Sequence, residues 1–176
     1  AAHPPTVNAV GDYSDELLVG TDKGDVARTS GNVGDAISGT LSNGAFVSAL
    51  AFAPSQDRTY VAGTDDGKVF RSVNGPFVNI TANLPALVGT ANFRVNGITV
   101  SPTNANTIYV MLGTKPGVVS VYVSTNAGGS WSALGGGTTL GTQLPRVASY
   151  TMVIDPRAST GAPNGRIYVG TDRGVY

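Results

Sequence analysis

Apolar and polar positions along this chain alternate in short segments, and the same arrangement of segments recurs four times. Each unit contains an apolar segment that ends in Gly-Thr and is followed by a small, polar turn. These segments are Leu17 to Gly24, Tyr60 to Gly67, Tyr109 to Gly117 and Tyr168 to Gly174. Alternating and β-branched residues are typical of half-buried strands. A unit that repeats at a long period indicates a repeat architecture.

Each unit predicts an antiparallel meander of four strands. The first strands are predicted at Thr6 to Val10, Val47 to Ala53, Val95 to Ser101 and Tyr150 to Asp155, and three of them stop at a proline. The Gly-Thr segments form the second strands, and their Asp and Gly residues favour a tight reversal. Third strands follow at Val26 to Ser30, Lys68 to Val73 and Val118 to Ser124. Weaker fourth strands follow at Ala36 to Thr40, Phe77 to Thr81 and Trp131 to Leu134. No segment has the 3.6-residue period of a helix, so almost no helix is expected.

The repeat length favours an all-β fold of the β-propeller type. Equivalent glycines lie roughly 40–60 residues apart, close to the 40–50 residues of a four-stranded blade. We expect one partial propeller domain over residues 1–176, with blades near 5–42, 46–84, 93–136 and an incomplete one at 148–176. Propellers usually close with about four to eight blades. We therefore expect the remainder of a longer polypeptide to complete the ring, or otherwise a second copy.

The tyrosines offer two predictions about packing. Tyr60, Tyr109 and Tyr168 stand near the start of the repeated segment in three units, which predicts core or intersheet packing for each. Tyr13, Tyr122 and Tyr150 are freer to stack against a sugar, although core packing is the preferred expectation for them too.

Composition excludes several classes of function. Only 12% of the residues are charged and the net charge is zero, so the chain has no electrostatic footprint for nucleic acid. No apolar run approaches the roughly 18 residues of a membrane span. Cysteine is absent, which removes disulfides and thiolate chemistry. We expect no cofactor and no metal. Lysine and glutamate are scarce, which favours an exported protein at the cell surface or outside the cell.

One turn carries a recognisable motif. Residues 124–131 read Ser-Thr-Asn-Ala-Gly-Gly-Ser-Trp. This segment matches the Asp-box, Ser-x-Asp-x-Gly-x-x-Trp, with Asn126 in the Asp position. With the Gly-Thr segments, it resembles the Asp-box (BNR) propeller superfamily of sialidases, two-propeller xyloglucanases, sortilin-type receptors and a photosystem assembly factor. The resemblance implies that Ser124, Asn126, Gly128 and Trp131 form a structural turn on the periphery. An Asn side chain can bond backbone N–H groups in such a turn.

The sequence contains few groups that could carry catalysis. His3 is the only histidine and Glu16 the only glutamate, so neither a Ser-His-Asp set nor a sialidase set is expected. Xyloglucanase-type enzymes, by resemblance, use one Asp on each of two facing propellers, one of them in a Thr-Asp-x-Gly segment. Asp22, Asp65 and Asp172 stand in similar segments. Of these, Asp22 and Asp172 are candidates for catalysis, together with Asp155 at the end of the last predicted first strand. Because the Asp recurs in three units, turn chemistry is the preferred reading, and no catalytic residue is assigned beyond these three candidates.

These observations lead to one preferred function and two alternatives. We expect an extracellular propeller module that recognises a glycan or a protein, or that builds a surface assembly, and that is not catalytic on its own. The first alternative is a fragment of a xyloglucanase-like polysaccharide hydrolase. The second is an assembly factor that binds protein partners. The expected partners are a glycan or protein ligand and the rest of the propeller, without nucleic acid.

Overall fold

The computed structural model describes residues 16–30, 34–38, 41, 44–82, 84, 93–113, 120–134, 144, 147–157 and 165–176. Within these ranges the fold is all-β: four antiparallel sheets and no helix. The prediction of a β-propeller type of fold with almost no helix is confirmed for this part of the chain. None of the described elements is a helix of the length and apolar character needed to cross a membrane.

The strands follow the predicted meander. Sheet 1 contains β1 Glu16–Gly20, β2 Val26–Ser30 and β3 Gly34–Ser38. Sheet 2 contains β4 Val47–Phe52, β5 Thr59–Thr64, β6 Val69–Val73 and β7 Val78–Asn79. Sheet 3 contains β8 Val95–Val100, β9 Ile108–Leu112, β10 Val121–Ser124 and β11 Ser132–Ala133. Sheet 4 contains β12 Ser149–Asp155, β13 Arg166–Thr171 and β14 Gly174–Val175. The strand predicted over residues 6–10 lies outside the described residues.

The repeated Gly-Thr segment closes a hairpin by local chemistry. In sheet 2, the Thr64 N–H donates to the Lys68 carbonyl (3.0 Å), and the Lys68 N–H donates to the Thr64 hydroxyl (3.2 Å). Gly67 has a φ of 85°, a conformation that favours glycine. In sheet 1, the Thr21 hydroxyl accepts the N–H of Asp25 at 3.0 Å. The threonine therefore caps the turn, and the glycine makes the reversal possible.

A β-bulge interrupts the first strand of sheets 2, 3 and 4. The extra residue is Ser48 in β4, Asn96 in β8 and Tyr150 in β12. Two of these side chains reach the first strand of the next sheet. Ser48 Oγ donates to the Val95 carbonyl at 2.8 Å, and Asn96 Nδ2 donates to the Ser149 carbonyl at 3.3 Å. The bulge thus turns a polar side chain toward the neighbouring sheet and links consecutive sheets.

Consecutive sheets pack face to face in chain order. We call the side of a sheet that packs on the next sheet its forward face, and the other side its rear face. The forward face of sheet 2 and the rear face of sheet 3 enclose the main core, which includes Val61, Val69, Val95, Val110 and Ile108. A smaller core between sheets 3 and 4 includes Met111, Val121, Val169, Met152 and Ile167. Contacts of β4 with β8 and of β8 with β12 show that neighbouring first strands follow the same order, and β1 of sheet 1 contacts β4 of sheet 2.

Register assigns the tyrosines to different faces. Tyr60 pairs with Phe52, Tyr109 with Thr99 and Tyr168 with Val153. When residues are counted from the register shift at the bulge, Tyr109 and Tyr168 occupy equivalent positions on the forward faces of sheets 3 and 4. Tyr60 is displaced by one residue from that position and lies on the rear face of sheet 2. A slip of one residue moves a side chain to the other face of a strand. Tyr60 and Tyr109 are buried, but Tyr168 is 41% exposed. The prediction of core or intersheet packing is therefore confirmed for Tyr60 and Tyr109 and was wrong for Tyr168.

Candidate functional site

The sheets present two rims, and the three candidate aspartates divide between them. The hairpin rim contains the turns after the second strands and the residues that precede the first strands. Asp22 and Asp172 lie in such turns, and the Asp172 N–H donates to the Ala148 carbonyl just before β12 (3.2 Å). Asp155 lies at the other end of the same sheet, where it pairs with Arg166. The structure therefore separates Asp155 from the other two candidates.

Asp155 is held in an ion pair with Arg157. Arg157 Nε donates to Oδ1 at 2.9 Å, Nη2 donates to Oδ2 at 2.7 Å, and the backbone N–H of Arg157 donates to Oδ1 at 3.1 Å. These hydrogen bonds lower the pKa of Asp155 to about 2. The carboxyl is consequently ionised at neutral pH, and its oxygens are occupied, so it is poorly suited to act as a general acid.

The pH dependence of this pair can be measured directly. In the wild-type chain we expect the Asp155 carboxyl to titrate with a pKa of about 2. Arg157→Ala should move the pKa toward the ordinary value of about 3.9. Because the folded-state pKa is depressed, the pair stabilises the fold above about pH 4 and loses this effect as the pH falls through about 2. Carboxyl chemical shifts followed through the acid range test this, with Arg157→Lys as the control that keeps the charge. An unchanged pKa in Arg157→Ala would contradict the assignment.

Asp65 positions an aromatic side chain that the sequence reading did not select. The Phe46 N–H donates to Asp65 Oδ1 at 2.8 Å, and the Asp65 N–H donates to the Phe46 carbonyl at 3.0 Å. The Phe46 backbone is thus fixed at two points while its side chain is 51% exposed. The signal available in the sequence was an aromatic residue directly before a first strand, followed 19 residues later by the turn Asp.

Asp22 and Asp172 are exposed carboxylates on the hairpin rim. Within the described ranges, no residue donates a hydrogen bond to either side chain. Asp22 belongs to sheet 1 and Asp172 to sheet 4, with sheets 2 and 3 between them. The structure does not bring them together. The described residues also contain no group of three Asp, Glu or His side chains that could hold a metal ion.

A small open cleft lies between sheets 1 and 2 beside the hairpin rim. Its volume is about 140 Å³, and Gly20, Val47, Ser48, Ala49 and Leu50 line it. Ligand pockets for small molecules are usually about 300–1,000 Å³. The cleft is therefore smaller than the usual site for a small-molecule ligand or a cofactor.

The Asp-box-like turn connects β10 and β11 on the opposite rim. Ser124 Oγ accepts the buried N–H of Gly128 at 2.8 Å. Asn126 Oδ1 accepts the Ser130 N–H at 2.8 Å, and Asn126 Nδ2 donates to Ser130 Oγ at 3.0 Å. Gly128 has a φ of 91°, which favours glycine. Every polar atom named here bonds within the turn, so the geometry gives these side chains local roles.

The same turn fastens sheet 3 to sheet 2. Trp131 is 6% exposed, and its Nε1 donates to the Ile80 carbonyl at 3.1 Å, just after β7. A Cβ on Gly128 would lie 2.6 Å from Ile80 Cβ, so only glycine allows this approach. The turn therefore contributes to intersheet packing at the periphery of the sheets.

Substitutions at Asn126 should distinguish the hydrogen bond from the charge. Asn126→Ala removes both bonds to Ser130 and is expected to lower the free energy of unfolding by about 1 kcal/mol. Asn126→Asp keeps an acceptor for the Ser130 N–H and lets the Ser130 hydroxyl donate, so a change within about 0.5 kcal/mol is expected. Urea unfolding of the two variants measures the difference. Equal losses in both would contradict the role given to the hydrogen bonds between Asn126 and Ser130.

Comparisons with solved structures place the chain among β-propellers. It is similar to an ancestral GH74 enzyme (23% identity, TM-score 0.66), over 96% of this chain and 22% of that chain. It is also similar to the GH74 xyloglucanase from Xanthomonas campestris (19% identity, TM-score 0.58), over 90% of this chain and 28% of that one. It is also similar to the Cps50 (Swd1) β-propeller domain of Myceliophteria thermophila (13% identity, TM-score 0.58), over 93% of this chain and 47% of that chain.

At these identities the likenesses show the fold, which is of the β-propeller type. This chain spans less than half of each of the three chains. No protein-family model matches the sequence. No curated protein matches it either.

Proposed function

We propose that this chain is part of an extracellular Asp-box-type propeller that binds a glycan or protein ligand at the hairpin rim and is not catalytic on its own. The observation that carries the proposal is the placement of the carboxylates. Asp155 and Asp172 lie at opposite ends of β12, a strand of 7 residues. At about 3.3 Å per residue they are roughly 20 Å apart. An inverting glycosidase needs its two carboxyls about 6.5–9.5 Å apart.

Recognition at the hairpin rim is supported by its aromatic and polar groups. Phe46 is held in an exposed position by Asp65, and Tyr150 on the same rim is 64% exposed. The prediction of core packing for Tyr150 was therefore wrong, whereas Tyr122 is buried. An exposed aromatic ring offers a rigid apolar surface for the face of a sugar or for an apolar side chain. The exposed Asp22 and Asp172 carboxylates can accept hydrogen bonds from hydroxyl groups.

The Asp-box type and the export of the protein are supported by different observations. The hydrogen bonds of the Ser124 to Trp131 turn support the Asp-box type, since they explain each residue type in the motif. The scarcity of lysine and glutamate supports an exported protein. A role as a building block or an assembly factor would use the same rim, with a protein as the ligand.

A binding experiment tests the proposal. Glycan arrays and calorimetry should find binding to the wild-type chain without release of reducing ends. Phe46→Ala should weaken this binding at least about fivefold, because truncating an aromatic anchor usually costs more than about 1 kcal/mol. Val78→Ala, which truncates an exposed side chain on the outer strand β7, should leave the affinity unchanged. Equal affinity in Phe46→Ala and the wild type would remove the hairpin rim from the proposal.

The xyloglucanase-like alternative is favoured by one observation: the carboxylates of Asp22 and Asp172 are exposed on the hairpin rim, and neither accepts a hydrogen bond from a described residue. Either could face a second carboxylate supplied by another domain. Release of sugar by the intact protein that is abolished by Asp22→Ala or Asp172→Ala would replace the binding proposal with a hydrolase. Binding that survives both substitutions, without release of sugar, would support the binding proposal.

A further inference from the structure

The chain contains a single Asn-x-Ser/Thr triplet, Asn79-Ile80-Thr81. A triplet of this form, with any residue except proline in the middle, is the acceptor for N-linked glycans in secreted proteins. Every other asparagine of the chain is followed two positions later by a residue that is neither serine nor threonine. The triplet begins at the end of β7 in sheet 2. A modification of this kind would therefore have one acceptor in the chain.

Asn79 lies on a strand that can accommodate a bulky group. β7 is the outer strand of sheet 2, it pairs only with β6, and both of its residues are exposed. An N-linked glycan is bulky and needs a surface position from which it can extend into solvent. An edge strand also presents unpaired backbone groups with which another chain can pair. A glycan on β7 would block such pairing without entering an intersheet core.

The Asn79 amide has its oxygen bonded and its nitrogen available. Asn79 Oδ1 accepts the N–H of Thr81 at 2.8 Å. Because a backbone N–H needs an acceptor, this bond fixes which end of the amide is the oxygen. Nδ2, the atom to which an N-linked glycan is attached, donates to no residue that the structure describes. The Thr81 hydroxyl accepts the Val69 N–H at 2.8 Å, which holds the third residue of the triplet against β6.

Strand pairing does not account for an asparagine at this position. Asn79 pairs with Phe70 in sheet 2 as Ala133 pairs with Tyr122 in sheet 3, and each partner is the second residue of the third strand. In both sheets, the residue after this pair donates its N–H to the first residue of the third strand, at 2.9 and 2.8 Å. The same ladder thus forms with alanine, and asparagine is depleted in strands.

We propose that Asn79 is the attachment site of an N-linked glycan. Asn79 Nδ2 would attack the anomeric carbon of a glycan that a lipid phosphate carries. A bond between Nδ2 and the anomeric carbon forms, and the bond from this carbon to the phosphate oxygen breaks. The lipid phosphate leaves with the electron pair, and the amide proton passes to a base of the transferring enzyme. The inference rests on the proposed function because only an exported chain meets this donor.

Secretion of the chain from a cell that makes N-glycans tests the proposal. With a secretion leader that is removed on export, the wild-type chain should exceed 17.8 kDa by the mass of one glycan. An amidase that releases N-glycans should remove the excess. Asn79→Asp is the matched control, because its carboxylate accepts the Thr81 N–H but cannot be glycosylated, and it should have the mass of the bare chain. Thr81→Ser keeps the triplet and the hydroxyl and should remain modified.

The same material separates this inference from the proposed function. The leader supplies the export, and a known glycoprotein secreted by the same cells confirms that the transfer reaction works. Asn79→Gln replaces any Asn79→Asp chain that does not fold. A secreted wild-type chain without a glycan would overturn the inference, even if that chain binds its ligand at the hairpin rim. A glycosylated chain that binds no ligand would support the inference and contradict the proposed function.

Discussion

Trp131→Ala is expected to lower the free energy of unfolding by about 3–5 kcal/mol, the usual cost of truncating a buried large aromatic side chain. Trp131 is 6% exposed and belongs to the main core between sheets 2 and 3. The substitution also removes the Nε1 hydrogen bond to the Ile80 carbonyl, which is worth about 1 kcal/mol. Domains of this size are usually stable by about 5–15 kcal/mol, so the loss would be a large share of the total.

Two control variants separate the contributions of Trp131. Trp131→Phe keeps most of the aromatic packing and loses the hydrogen bond, so it should cost clearly less than the alanine variant. Tyr150→Ala truncates an aromatic side chain that is 64% exposed and should change stability by no more than about 0.5 kcal/mol. Urea unfolding monitored by circular dichroism measures all three. A loss below about 1 kcal/mol for Trp131→Ala would contradict its packing against sheet 2.

Gly63→Ala is expected to destabilise the fold by about 1–3 kcal/mol through overpacking. A Cβ at this position would lie 2.7 Å from Val95 Cβ, and Val95 is fully buried at the start of β8. Sheet 3 would have to move away from sheet 2 to make room. Gly20 is in the same situation, with its Cβ position 2.6 Å from Val47 Cβ. In sheets 1 and 2, the glycine of the repeated segment is thus required for the close approach of the next sheet.

Two other glycines serve as matched controls for Gly63. Gly75→Ala places the Cβ 3.7 Å from the nearest atom, which is ordinary contact, and it should be neutral or slightly stabilising. Gly44→Ala meets no atom within 4 Å but has a φ of 75°, so it should cost about 1 kcal/mol from backbone strain alone. Thermal and urea unfolding should rank Gly63→Ala as the most destabilised of the three. Equal stability of the Gly63 and Gly75 variants would contradict the intersheet clash.

In the part of the chain that the structure describes, the sequence by itself determined the strands and the turns. Strand positions follow from alternation and β-branching, and the Thr-Asp-x-Gly turns follow from local hydrogen bonds and a positive φ at glycine. The turn from Ser124 to Ser130 was also predictable, because these side-chain bonds join residues within four positions of one another. These features depend on neighbours in the chain, so the local sequence contains the information.

Only the tertiary structure decided which faces are buried and which groups meet. The bulges at Ser48, Asn96 and Tyr150 shift the register, and a shift of one residue changes the face on which a side chain lies. Tyr168 is exposed while Tyr109, at the equivalent register position, is buried, because a described sheet covers only Tyr109. The position of Phe46 depends on Asp65, a contact across 19 residues. Register and sheet stacking are long-range properties, and no local pattern of residues specifies them.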